Sequence, residues 1–228
     1  ILIAVFAPLF YKDYRKTERI HQHEQEIPQE PCTDPVDGGL CTYLPIVKID
    51  TDGVVIPGRP IKDDGNNRIY TCAADGETTI AAQMDIIGND SKEYHHANET
   101  ADVSSAIRIR MRGNSSRAFD KPSYAIRLVD EEGENNPLSI MGMDAHHEWV
   151  LYGPWLDKTA IRNYMFYNLA GEMMSYAPNV RFCEVILNGE YEGLYVMTEV
   201  ITGGKDGARL GLRVNAKRST FSGYLLRL

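Results

Sequence analysis

Along residues 103–112, VSSAIRIRMR, apolar and charged positions alternate. Ile107, Ile109 and Met111 fall on one side, and Arg108, Arg110 and Arg112 on the other. Period two over ten residues predicts a half-exposed strand. SYAIRLV at 123–129 repeats the pattern, so the two segments predict a hairpin or near-hairpin joined by GNSSRAFDKP. Ile46 and Ile49 within LPIVKIDTDG (44–53) predict an earlier strand, with Asp52-Gly53 as its turn. Residues 68–87, rich in Thr, Ile and Ala, predict one or two more. RFCEVILNG (181–189) and EYEGLYVMTEVI (190–201) predict two strands, with Asn188-Gly189 as a type I′ turn. GYLLRL (223–228) has the look of a further strand.

The period changes to helical in residues 158–174, KTAIRNYMFYNLAGEMM. Ile161, Met165, Leu169 and Met173 recur four apart, and Asp157 stands where an N-cap is wanted. Core packing is the expected role of these Met and aromatic side chains. Strands, one helix and two more strands make an α+β pattern: a twisted antiparallel sheet with one main helix packed on it. EEGENNP (131–137) reads as a loop.

The flanks differ in character. ILIAVFAPLF (1–10) is apolar but too short to span a bilayer, which takes about 20 residues. It is expected to be the remnant of a signal peptide or membrane anchor, or else a buried strand or short core helix. Residues 11–43 are polar and rich in Pro and Gly, which reads as a linker. The folded domain is expected over 44–228. The last apolar stretch carries no cap, so the chain is read as a fragment open at both ends.

Composition adds limits rather than an answer. The 228 residues are 43% hydrophobic and 25% charged, ordinary globular values. A net charge of −8 and a pI near 5.3 argue against a nucleic-acid partner. The four cysteines, Cys32, Cys41, Cys72 and Cys183, form no CxxC pair. Cys32 and Cys41 close a small disulfide if the chain is exported; otherwise all four are ordinary thiols. The H-Q-H tract at 21–23 and the pairs His95-His96 and His146-His147 suggest a metal site, but adjacent histidines cannot both face one side of a helix or one face of a strand, so solvated loops are expected there. The sequons at Asn89, Asn98 and Asn114 matter only in a eukaryotic secretory pathway.

Against that acidic background, residues 110–121 collect Arg110, Arg112, Arg117 and Lys121 around one loop. Gly113 permits close backbone approach, Asn114 tolerates a left-handed conformation, and Ser115 and Ser116 add hydroxyls. Backbone N–H groups in such a turn form an anion-binding nest. The loop is neither GxxxxGK[ST] nor GxGxxG, so on composition alone it reads as a solvated turn or as a phosphate site.

Further stretches lie in order around it: LPIVKIDT, then RGNSS, KPSYAIRL and WVL, then DKTAIRN, then LNGEYEGLY and TE. Together they resemble the CotH kinase family, the spore-coat-protein-H type of atypical kinase, over roughly residues 44–228. The resemblance implies a protein-kinase-like amino-terminal lobe, with ATP and Mg2+ as cofactors and a protein Ser/Thr hydroxyl as phosphate acceptor. It also implies a secreted, surface or membrane-anchored location.

The resemblance further implies roles. Arg112, Gly113, Asn114, Ser115, Ser116 and Arg117 would cover phosphates. Lys121 matches the family's lysine before the SY strand and is the favoured phosphate contact. Arg127 stands where ordinary kinases carry the strand lysine, and residues 121 and 127 share strand parity. Asp157, Arg162 and Asn163 would orient the site, with Glu172 a candidate partner for the lysine. Backbone near Met197–Val200, with Glu199, would lead to the hinge and meet adenine. Catalytic and metal-binding acids are expected beyond Leu228 and are not assigned.

Two other classes compete with the kinase reading. One is a non-catalytic spore-coat or cell-surface scaffold that keeps the fold. The other is a carbohydrate-binding β-domain in which Trp149 and Trp155 stack on sugars, although both lie in apolar stretches that favour core packing.

Overall fold

In the computed structural model, the residues described are 19, 21–27, 32, 39–63, 68–89, 93–174, 176–202 and 209. The expected apolar remnant 1–10 and the strand at 223–228 lie outside them. Seven strands carry the fold. They are β1 (Ile46–Asp50), β2 (Ile80–Ile87), β3 (Val103–Arg112), β4 (Ser123–Val129), β5 (Glu148–Tyr152), β6 (Val180–Leu187) and β7 (Glu190–Glu199). They close into a barrel in the order β5-β7-β6-β1-β2-β3-β4 and back to β5.

Every neighbouring pair in this ring is antiparallel except β6 and β1, which run parallel with Glu184 opposite Ile46. Seven strands cannot alternate in direction all the way around, so a closed ring of seven needs a parallel seam. The β1–β6 pair is that seam.

The barrel corrects the expected fold class. The protein is mostly β with a closed barrel, not a kinase-like α+β lobe with a main helix on an open antiparallel sheet. The strand segments read from periodicity are present, and β3 and β4 have the expected limits. Asn188 and Gly189 have φ of 51° and 82°, as a type I′ turn requires. The closure is what local patterning lacked. Strand β1 pairs with a segment 138 residues later, and β5 inserts between β4 and β7.

Closure gives every strand one inward face. Ile107, Ile109, Leu128, Trp149, Leu151, Tyr195 and Met197 fill the interior at 0% exposure. Trp149 is wholly enclosed, and its Nε1–H donates to the His146 carbonyl at 2.8 Å. Trp155 is half-buried beneath the Lys158 ammonium.

The one α-helix among the described residues, α1 (Arg162–Met173), packs outside the barrel. Tyr164 and Val180, with Val196 of β7, form a small cluster beneath it, and the Tyr164 ring stacks on Phe182. Its orientation overturns the expected apolar stripe. Tyr164, Asn168 and Gly171 face the barrel, while Ile161, Met165, Phe166, Leu169 and Met173 are 46–78% exposed. Residues from the segment read as linker set this orientation. Arg19 donates to the Ala177 and Pro178 carbonyls and lies so close to Gly171 that a Cβ there would overlap its guanidinium. The Gln22 side-chain amide bonds both the N–H and the C=O of Phe182, as a neighbouring strand would.

The paired histidines are not solvated loops. His95 and His146 are 4% exposed, and His95–His96 form a two-residue strand against Cys41–Thr42. No helix among the described residues is long and apolar enough to cross a membrane.

Inward and outward faces predict opposite mutational costs. Ile109→Ala is expected to destabilise the protein by about 2–5 kcal/mol, because it opens a cavity in a filled barrel. Leu169→Gln on the exposed helix face is expected to stay within about 0.5 kcal/mol. Urea denaturation of the two variants measures both values.

Candidate functional site

The alternation that sends Ile107, Ile109 and Met111 inward sends Arg108, Arg110 and Arg112 outward, about 7 Å apart along β3. The register continues this row across the sheet. Arg108 lies opposite Arg127 of β4, and Arg127 lies opposite Glu148 of β5. One step along, Arg110, Ala125, Val150 and Thr198 are cross-strand neighbours in turn. The outer barrel surface thus carries a charged row beside a small, largely apolar one.

A cleft of about 1090 Å³ lies over these rows. Arg108, Arg110, Arg112, Arg117 and Arg127 line it, together with Glu77, Glu148 and Glu199. Tyr167 of α1 and Pro178 form a wall, and Thr198, Val200 and Ile201 border the apolar part. Guanidinium groups stay charged at any working pH and present forked donors, so they suit phosphate oxygens.

The arginines are positioned by the protein itself. Arg108 donates to the Thr79 hydroxyl and carbonyl at 3.1 and 3.3 Å. Arg117 donates to the Gly113 carbonyl at 2.7 Å and stacks over the Tyr70 ring. Arg127 donates through Nε to Asn135 Oδ1 at 2.7 Å. Arg108 and Arg127 stand directly opposite each other, a like-charge arrangement that costs stability in a sheet. Glu148 compensates on one side of Arg127 only, so an anion over the pair lowers the electrostatic energy of the folded protein. The donor set fits a polyphosphate, and carboxylates such as Glu77 and Glu148 are of the type Mg2+ takes.

The residues expected to act together divide into groups. Arg112, Gly113, Asn114, Arg117, Arg127 and Glu199 line the cleft. Ser115 and Ser116 lie in a short 3₁₀ turn, Ser115–Ala118, and are not among the lining residues. Gly113, with φ of 111°, takes the left-handed backbone that Asn114 was expected to tolerate, and Ser116 Oγ fills the space where a Cβ would stand.

Lys121 precedes β4, which starts at Ser123, so strand parity does not bring it beside Arg127. Its ammonium donates to the Glu192 carbonyl at 2.6 Å and sits over the Tyr195 ring. Burial there pulls its pKa down. Lys121 does not line the cleft.

Glu199 is buried and structurally committed. Oε2 accepts the Asn179 N–H at 2.8 Å, and Oε1 lies 3.5 Å from Nε of Arg209. Arg209 also donates to the Glu148 and Val200 carbonyls and stacks over Trp149. This buried pair ties the end of β7 to β5.

Asp157, Arg162 and Asn163 are outside the cleft lining. Asp157 is buried and accepts from the Thr159 hydroxyl, the Thr159 N–H and the Arg162 N–H, the first amide of α1. It thus caps the helix from five residues upstream, with the Arg162 guanidinium 3.6 Å away. The Thr159 hydroxyl hydrogen bond, above all, holds its pKa below the ordinary carboxylate value. Glu172 faces His21 at 3.2 Å rather than Lys121.

Residues 109–220 match the family model described as CotH kinase protein. Over this segment the chain is similar to that family. No curated protein matches the chain. The CotH segment begins within β3 and includes the cleft arginines Arg110, Arg112, Arg117 and Arg127. Arg110 was one of the cations collected around the candidate loop but was given no role of its own, and Arg108, Glu77, Glu148 and Tyr167 were not among the expected site residues. For Arg108 and Arg110 the signal was in the sequence, because period two places both on the face that carries Arg112. Glu77, Glu148 and Tyr167 gave none, since the barrel register and the helix placement bring them in.

Two outcomes test these assignments. Arg209→Met is expected to destabilise the protein by about 3–5 kcal/mol, because Glu199 stays buried without its cation. Asp157→Ala is expected to lower the melting temperature near neutral pH. Because the folded pKa of Asp157 is depressed, its contribution is complete above the unfolded carboxylate value and disappears as pH falls through the folded one. The melting-temperature gap between parent and variant should therefore close in strong acid.

Proposed function

We propose that this chain carries the nucleotide-binding part of a CotH-type protein kinase that phosphorylates Ser or Thr hydroxyls of a protein, at the cell surface or outside the cell. The observation that carries the reading is the facing pair Arg108 and Arg127, with Arg110, Arg112 and Arg117 around the same cleft. An ATP-sized polyanion supplies the counter-charge that this face needs. When bound, ATP supplies the phosphoryl group and Mg2+ neutralises charge developing on it.

The chain's own part is binding and orientation. The arginines of β3 and β4 hold phosphate oxygens by charge-assisted hydrogen bonds. Ala125, Val150 and Thr198 offer a flat floor to a base, next to the backbone of Glu199–Ile201, and Tyr167 closes one side. In this reading Arg127, rather than Lys121, is the phosphate contact from the SYAIRL strand. The disulfide between Cys32 and Cys41 is in keeping with an exported protein.

Isothermal titration with ATP and Mg2+, with inorganic tripolyphosphate as competitor, tests the reading. Arg127→Ala and Arg110→Ala are each expected to weaken ATP binding roughly 10- to 100-fold, the range of one lost charged hydrogen bond. Lys121→Ala is expected to leave affinity within about threefold of the parent. An arginine variant with undiminished affinity removes the cleft from consideration. Absence of any ATP binding favours the non-catalytic scaffold.

A further inference from the structure

Away from the cleft, three side chains from separate segments converge on the ribbon formed by Cys41–Thr42 and His95–His96. Cys41 and His96 are directly opposite across the two strands, so their side chains lie side by side on one face. Cys32 joins them through its disulfide to Cys41, and its sulfur lies 3.0 Å from His96 Nε2. The ligand atoms of Cys32, Cys41 and His96 all lie within 4.8 Å of one another, and the three residues are half-buried.

Glu99 decides how the imidazole presents itself. Its Oε1 accepts the His96 backbone N–H at 2.9 Å and stands 2.8 Å from His96 Nδ1. A carboxylate only accepts, so in the neutral ring the proton sits on Nδ1 and the lone pair on Nε2. That lone pair points at a sulfur which, in a disulfide, has no hydrogen to donate. A carboxylate holding the far nitrogen of a histidine is also the arrangement that orients histidine ligands at metal centres.

We propose that, when reduced, Cys32, Cys41 and His96 form a binding site for a thiophilic divalent cation such as Zn2+, with Glu99 as the positioning residue. A dithiol reductant is oxidised to its own disulfide while Cys32 and Cys41 take up two electrons and two protons. The cation then displaces those two protons, and two S–metal bonds and one N–metal bond form. Solvent completes the tetrahedron usual for zinc. The Cα atoms of the two cysteines are 6.8 Å apart, at the wide end of what a disulfide spans, so side-chain rotation suffices to part the sulfurs. The redox state thus selects a cross-link or a metal clip at one place. None of these residues lines the arginine cleft, so the site stands independently of the kinase reading.

The test uses the whole 228-residue chain in a Cys72→Ser background, which removes the exposed free thiol. The protein is reduced with dithiothreitol, freed of it under nitrogen and titrated with Co2+, then Zn2+. One Co2+ per chain is expected, with thiolate-to-cobalt charge-transfer absorption and tetrahedral visible bands that Zn2+ abolishes. The oxidised protein should show neither band. His96→Ala, or His96→Gln if the first variant fails to fold by circular dichroism, should weaken binding at least tenfold. Glu99→Gln should weaken it about 10- to 100-fold while keeping the charge-transfer band. The proposal is overturned by any of three results: no charge-transfer band in the reduced protein, an undiminished band in the Cys32→Ser/Cys41→Ser variant, or unchanged affinity in both histidine variants.

Discussion

Closure of the barrel is the constraint on which the rest of the structure depends. Once β1 pairs in parallel with β6, the sheet has no free edge and a single enclosed interior. Each strand must then give one face wholly to that interior. The face left over on β3 and β4 can be as charged as the sequence makes it, because the opposite side already supplies the burial. Five arginines line the cleft on that surface.

The same constraint explains the position of the helix. In an open sheet, α1 would have to cover the apolar face and would bury its own apolar stripe in doing so. Here the barrel interior is filled by strand residues, and α1 covers only a patch near Val180 and Val196. Its barrel-facing positions are Tyr164, Asn168 and Gly171, selected for a tyrosine stack and for the approach of Arg19. Asp157 fixes where the helix begins, and the Glu199–Arg209 pair fixes the end of β7. Both acidic residues therefore do structural work at the margins of the site.

Lys121 and Arg127 show how chemistry and placement separate. By residue type, either cation suits phosphate. Lys121 lies ahead of β4, where its ammonium meets a carbonyl and an aromatic ring. Arg127 lies within β4, on the outer face, between a cation and an anion. The six-residue spacing that makes them look equivalent holds only if the strand extends through both, and it begins at Ser123.

What the sequence determined by itself was local. Period-two alternation marked β3 and β4 with their limits, Asn188-Gly189 marked the β6–β7 turn, and the ordered motifs carried the resemblance to the CotH kinase family whose model matches residues 109–220. These signals are local because strand pleat, turn backbone and motif spacing are set by residues within a few positions of one another. The tertiary structure decided the rest: the parallel seam, the insertion of β5 between β4 and β7, the outward stripe of α1, and the meeting of Glu77, Glu148 and Tyr167 with the arginines. Each depends on pairing between segments tens of residues or more apart. A strand's side-chain pattern fixes which face is buried but not which neighbour it joins, and only the closed ring selects among neighbours with equally apolar faces.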